Sequence, residues 1–158
     1  RVLYERLKAA GHGKPIATQR SMFPVTLELA PADTAILEDI MIDLHQLGYM
    51  IEPFGKNTFV VQGTPADVVQ GNEKYVIDLL LEQYKHFSND LKFSKREKLI
   101  RSLARQQAIK TGAQLTEREM KSLVNDLFAC EQPNMTADGN PTYLEFKQEQ
   151  LEKMFRPH

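Results

Sequence analysis

The sequence predicts an α+β fold, with the middle segment forming a lobe of its own. Three observations predict it. Val25, Leu27 and Leu29 alternate with Thr26 and Glu28, the period of a half-buried strand. Apolar residues recur at helical spacing in several longer stretches, two of which open with a Ser/Thr-x-x-Glu signal. The elements come as helix, strand, helix, hairpin, then helices and one late strand, which is not the regular alternation of a doubly wound sheet.

Arg1 to Ala10 reads as the end of a helix, with Val2, Leu3 and Leu7 on one face and Gly11 and Gly13 stopping it. Lys14 to Ser21 reads as a polar linker before the strand at Val25–Leu29. Pro31 suits a first helical turn and Asp33 its positive end, and Ile36, Ile40, Leu44 and Leu47 form the stripe, flanked by Leu37 and Met41. Gly48 ends that helix. Met50–Phe54 and Thr58–Gln62 form a hairpin across Gly55-Lys56-Asn57, followed by a loop from Gly63 to Asn72. The next helix, Glu73 to Phe87, shows Val76, Leu80, Tyr84 and Phe87 as its stripe.

Ser94 with Glu97 is a capping box, since each side chain can reach the other's free backbone N–H. It opens a helix to about Lys110, with Ile100, Leu103, Ala104 and Ala108 inward. Thr116 with Glu119 opens another, whose seam is Met120, Leu123, Val124, Leu127 and Phe128. Glu131 to Tyr143 holds two prolines and Asp138-Gly139, which rule out regular structure and point to a rigid turn. Thr142–Phe146 then reads as a short strand, and Leu151, Met154 and Phe155 as the buried face of a last helix.

Composition excludes several classes. At 158 residues, 42% apolar and 26% charged, the chain can bury one sizeable core. A net charge of −1 gives no global field toward nucleic acid or membrane, and no apolar run reaches the roughly 20 residues of a membrane span. There is no signal-peptide pattern. Cys130 stands alone, so no internal disulfide is expected and a reducing, cytoplasmic setting fits. His12, His45, His86 and His158 form no metal-binding pair, and phosphate-loop, dinucleotide and serine-nucleophile motifs are missing, so no cofactor is expected.

Two segments are candidate sites. Lys92, Lys95, Arg96, Lys98, Arg101 and Arg105 concentrate basic charge, with Lys98, Arg101 and Arg105 on one helical stripe. That stripe is either a phosphate-contacting surface or an ordinary solvated face. Gln19-Arg20-Ser21-Met22-Phe23-Pro24 is either a linker or an extended peptide whose apolar pair fills a partner's pocket while glutamine anchors it.

In combination these segments resemble the C-terminal domain of the MutL mismatch-repair family. Arg1-Val2-Leu3-Tyr4-Glu5 resembles the close of the family's DQHAxxExxxxE motif. Ala104 to Gly112 resembles its ACRxAVKxG segment. Glu131 to Thr142, followed by Leu151-Glu152-Lys153-Met154-Phe155, resembles its CPHGRPT…LEKMF ending. Gln19, Met22, Phe23 and Pro24 fall where many bacterial members carry a sliding-clamp-binding peptide, with Ser21 at a position that is usually apolar.

The resemblance implies a two-lobed domain. An outer lobe with a small sheet and helices would span 19–89, and a mainly helical dimerising lobe would combine 1–18 with 90–158. It also implies a homodimer, contacts with the sliding clamp and other mismatch-repair proteins, ATP binding in N-terminal domains outside this chain, DNA contact through the full-length protein, and a bacterial, nucleoid-associated location. The family's endonuclease-active members build a metal site from residues that are replaced here. Thr136 and Asp138 stand where cysteine and histidine would be, Arg105 stands where the ACR segment has cysteine, and Glu5 matches the last glutamate of the DQHA motif, whose other residues would lie before Arg1. Threonine cannot stand in for a thiolate as a ligand, and arginine brings a positive charge to the other cysteine position. The expectation is therefore a scaffold without endonuclease activity. The alternative is a metal-dependent DNA-nicking domain whose altered ligand set includes Asp138 and Glu5.

Overall fold

The computed structural model describes residues 1–10, 16–68, 70–87 and 92–156. The expectations that rest on Gly11, His12, Gly13, His158 and the lobe boundary between 89 and 90 lie outside these residues. Among the described residues the order is α1 (Val2–Ala9), β1 (Thr18–Glu28), α2 (Pro31–Gln46), β2 (Met50–Pro53), β3 (Thr58–Pro65), α3 (Glu73–Phe87), α4 (Lys95–Gln107), α5 (Glu117–Phe128) and α6 (Gln148–Phe155). The α+β class expected from the sequence is what forms. The chain divides into two compact units: Leu3–Gln114, and Arg1–Val2 with Leu115–His158.

The first unit holds the sheet, in the order β1-β3-β2 and antiparallel throughout. Leu27 lies opposite Phe59, and Ile51 opposite Val61, so the central strand and both edges send fully buried side chains to the core. α2 covers β2, α3 meets β1, and α4 packs on α2 and α3. Leu37, Ile40 and Leu44 of α2, Ile77, Leu80 and Leu81 of α3, and Leu99, Ile100 and Leu103 of α4 close the core.

Local sequence explains the boundaries. Pro31 opens α2, where a missing N–H is harmless. At the other end Gly48 takes φ +95°, which lets Tyr49 N–H reach Leu44 O (3.0 Å) and Gly48 N–H reach His45 O (3.2 Å). Ser94 Oγ accepts from Glu97 N–H at 3.1 Å and starts α4.

Several expectations are corrected. β1 begins at Thr18, inside the stretch read as linker, because Thr18 to Arg20 pair with Pro65 to Gly63. α3 buries Ile77 and Leu81 beside Leu80 and Tyr84, and α4 buries Leu99 and Ser102 and ends at Gln107. Both buried faces are rotated from the expected stripes, because the sheet and three helices present a wider apolar surface than one stripe fills. Within the Leu3–Gln114 unit, α4 packs on α2 and α3.

The second unit is open. Thr116 and Glu119 form a reciprocal capping box for α5, with N–H to oxygen distances of 2.8 and 3.2 Å. The turn after α5 is closed by a bridge between Met135 and Pro141. The expected strand at Thr142–Phe146 does not form: the bridge takes Pro141, just before it, and residues 142–146 join no strand. None of this unit's described residues is buried.

Candidate functional site

The Gln19–Pro24 stretch is built by an interruption in β1. Pairing with β3 holds at Gln19↔Thr64 and Arg20↔Gly63 and resumes at Val25↔Val61. Ser21, Met22, Phe23 and Pro24 therefore stand opposite Gln62 alone and bulge outward. Pro24 has no N–H to offer the ladder, which favours the interruption. Met22 is 85% exposed and Phe23 is 82% exposed, an adjacent apolar pair presented to solvent. An open hollow of about 470 Å³ lies beside them, between Met22, Phe23 and Val25 on one side and Gln70, Gly71 and Glu73 on the other. Ser21 Oγ is enclosed and meets no hydrogen-bond partner among the described residues.

Gln19 points elsewhere. Its side-chain amide donates to Val68 O at 2.6 Å and Pro65 O at 3.0 Å, with Thr64 Oγ1 at 3.4 Å. The candidate peptide is thus split: its glutamine is engaged within the protein, and its apolar pair is displayed. No spacing in the sequence announces that engagement.

The basic segment is largely matched to nearby carboxylates. Lys95 Nζ meets Asp39 at 2.7 Å, and that hydrogen bond raises the ammonium pKa above its ordinary value. Arg96 meets Asp43 at 3.5 Å and Gln46 Oε1 at 2.6 Å. Arg101 Nε donates to Glu97 Oε1 at 3.0 Å, and its guanidinium lies 4.0 Å from the Phe93 ring centroid and 5.6 Å from that of Tyr4. Tyr4 Oη donates to the same Glu97 oxygen at 2.6 Å. Arg105 lies over Phe87 at 5.3 Å. Of the expected stripe, Arg101 is thus an internal strut, tying α1 to α4, and Arg105 rests on an aromatic ring. The Tyr4–Glu97 bond is a feature that sequence reasoning missed.

In the second unit the turn holds Thr136 and Asp138. Thr136 N–H donates to Asn140 O at 2.7 Å, and Thr136 Oγ1 accepts from Asn140 N–H at 3.1 Å. Gly139 takes φ +86°, which only glycine adopts freely. Arg1 braces the turn, its guanidinium donating to Met135 O at 2.6 Å and Thr136 O at 2.9 Å. The Thr136 hydroxyl therefore serves the turn itself. Glu5 and Arg105, the other positions compared with the metal site, belong to the first unit. Among the described residues no group of three or more His, Cys, Asp and Glu is placed to hold a metal ion.

The helices beside that turn correct a further expectation. The face of α6, expected to be buried, is exposed, with Met154 at 64% and Phe155 at 83%; the seam of α5 is exposed too, with Val124 at 52% and Phe128 at 56%. Met120, Leu123, Leu144, Phe146 and Leu151 join them. Within this unit no described element buries these residues. Large apolar side chains exposed in such number are a common mark of association.

One unit encloses an α+β core and the other exposes the apolar sides of two amphipathic helices, the features of a domain built to associate. Residues 1–115 match the model of the MutL C terminal dimerisation domain, and the chain belongs to that family. Its relatives include proteins named DNA mismatch repair protein MutL. That of Pelodictyon phaeoclathratiforme is 34% identical over 98% of this chain and 25% of its own length. That of Chlorobium phaeovibrioides is 36% identical over the same shares, and that of Chloroherpeton thalassium is 34% identical over 98% and 24%. The chain therefore spans about a quarter of the length of these relatives. Among the described residues no helix is long and apolar enough to cross a membrane.

Proposed function

We propose that this chain acts in DNA mismatch repair by joining two copies of a MutL-type protein and coupling them to the sliding clamp, without endonuclease chemistry of its own. The observation that carries the joining role is the apolar face of α5 and α6, which buries none of its residues. A helix with a strong apolar stripe gains little from folding in water until that stripe is covered. The family match covers residues 1–115 and describes a dimerisation domain; a second copy as the cover of α5 and α6, which follow the matched residues, extends that description.

The clamp role rests on Met22 and Phe23, held outward by the β1 bulge, with Gln19 and Pro24 completing the peptide. The non-catalytic reading rests on Thr136, Asp138 and Arg105 at the family's ligand positions, and on the Thr136 hydroxyl being used by its own turn. ATP binding belongs to N-terminal domains outside this chain. DNA and the other repair proteins are met through the full-length protein, in the bacterial cytoplasm at the nucleoid. Direct DNA contact by Lys98, Arg101 and Arg105 has less support, because Arg101 is tied to Glu97. In this reading the dimerising lobe comprises 1–18 with 90–158, and the outer lobe 19–89.

The test is the sedimentation of the full-length protein carrying Leu151→Asp and Met154→Asp. Neither residue is buried in the isolated chain, so the Leu3–Gln114 core keeps its circular dichroism. A shift from dimer to monomer is expected. A dimer of unchanged strength would reject this face as the joining surface.

A further inference from the structure

We infer that Gln19 is an intramolecular latch that positions the Met22–Phe23 bulge, rather than the group that anchors a clamp in its own pocket. The inference rests on the clamp reading of Met22 and Phe23 given above. A primary amide has two N–H hydrogens, and in Gln19 these face two carbonyl oxygens, Val68 O at 2.6 Å and Pro65 O at 3.0 Å. Both donors are therefore spent inside the protein, at a half-buried residue.

The latch has a geometric consequence. Pro65 ends β3, and Ala66 N–H donates to Ala17 O at 2.9 Å, so the chain leaving the sheet is held along the start of β1. Gln70 Nε2 reaches Arg20 O at 3.5 Å from further along the same connection. Gln70 and Gly71 then form one wall of the hollow beside Met22 and Phe23. Gln19 thus fastens the wall against which the exposed pair is set. A partner that claimed the Gln19 amide would have to break both bonds and loosen that wall while Met22 and Phe23 were entering it. The arrangement favours a division of labour: Met22 and Phe23 touch the partner, and Gln19 keeps their support in place.

The experiment uses the full-length protein, the purified sliding clamp of the same organism, and two readouts: clamp affinity, and amide hydrogen exchange at Ala66, Asp67 and Val68. Gln19→Lys keeps a donor for the two carbonyls and removes the amide oxygen. Gln19→Glu keeps the shape and removes the donor at neutral pH. The latch predicts that Gln19→Lys retains protection and binds within about threefold of the unmodified protein. Gln19→Glu and Gln19→Ala should lose protection and about tenfold in affinity, the scale of losing hydrogen bonds of this kind. Clamp binding by the unmodified protein should leave residues 66–68 protected. Met22→Ala with Phe23→Ala should abolish binding with exchange at 66–68 unchanged.

Loss of protection at 66–68 when the clamp binds would overturn the latch and make Gln19 the anchor. Gln19→Lys losing affinity as fully as Gln19→Ala would overturn it as well. So would Gln19→Ala leaving the exchange unaltered. If the unmodified protein does not bind the clamp, or the Met22/Phe23 double variant binds equally well, the clamp reading fails and with it the positioning role. Unchanged exchange in Gln19→Ala alongside intact Met22/Phe23-dependent binding defeats the latch alone.

Discussion

Replacing Glu97 with glutamine measures how firmly α1 is tied to α4 and whether Arg101 is free for any other task. One carboxylate oxygen accepts from Tyr4 Oη at 2.6 Å and from Arg101 Nε at 3.0 Å. The Arg101 side chain is 12% exposed and that of Glu97 19%, so water can do little to compensate either group. Hydrogen bonds to charged groups contribute about 1.5–3 kcal/mol each and neutral ones about 1, so making the Tyr4 bond neutral and leaving the Arg101 bond charged on its donor side alone costs about 1–2 kcal/mol. The enclosed guanidinium, left without its counter-charge, brings the expected loss to about 2–3 kcal/mol. Urea unfolding followed by circular dichroism reads this directly. With a slope of about 2 kcal/mol per molar, the midpoint should fall by about 1 M. Glu117→Gln is the control, because its pair with Lys121 is 3.1 Å long but 79% and 73% exposed, and it should shift the midpoint hardly at all. A Glu97→Gln midpoint within about 0.3 M of the unmodified protein at the same slope would refute the reasoning.

Three further outcomes are expected. Burial pushes Tyr49 up to about 12 from 10.0, so the unfolded chain gives up this proton first as pH rises. The stability tied to it is complete below pH 10.0 and falls away up to about pH 12. Stability curves of the unmodified protein should therefore drop by about 2–3 kcal/mol more than those of Tyr49→Phe over that window, and parallel curves would reject the assignment. A Cβ at Gly63 would meet Thr18 Cγ2 at 2.7 Å and Gln19 O at 3.0 Å, so Gly63→Ala should destabilise by about 1–3 kcal/mol, and an unchanged melting temperature would contradict that crowding. Supercoiled plasmid incubated with manganese and the full-length protein should stay as intact as with Asp138→Ala. Nicking that vanishes in that variant would mean oxygen ligands have rebuilt a metal site.

Much of the fold was legible because local chemistry set its punctuation. Ser94 and Thr116 cap the helices they were expected to cap, Pro31 opens α2, and Gly55 with Asn57 turns the hairpin through positive φ. These are one-to-four-residue effects that a sequence displays directly. What escaped depends on contacts between distant positions. The start of β1 at Thr18 is set by pairing with Pro65, and a run with Thr, Gln, Arg and Ser gives no apolar alternation by which to see it. The Gln19 amide likewise finds carbonyls far along the chain at Pro65 and Val68. The apolar seams of α5 and α6 were read correctly as seams, but periodicity says only that a face is apolar and not what covers it. The Glu131–Tyr143 turn was legible as a turn from its prolines and glycine, whereas the part played by the Thr136 hydroxyl in closing it was not.

The hydrogen bonds from Arg1 to Met135 O and Thr136 O span 134 and 135 positions of sequence. They make Leu3–Gln114 an insertion, in effect, within a unit closed by its two flanks. A ribosome extending the chain by about 5–20 residues each second needs on the order of ten seconds between Arg1 and Thr136. The inserted unit has all of its own residues before then and can close its core first. That ordering shortens the search Arg1 must make, because a folded insertion brings its two ends to a fixed separation, whereas an open loop of that length carries the full closure entropy. The order of synthesis therefore works for this architecture, and slowing the closure of the Leu3–Gln114 core would delay completion of the terminal unit as well.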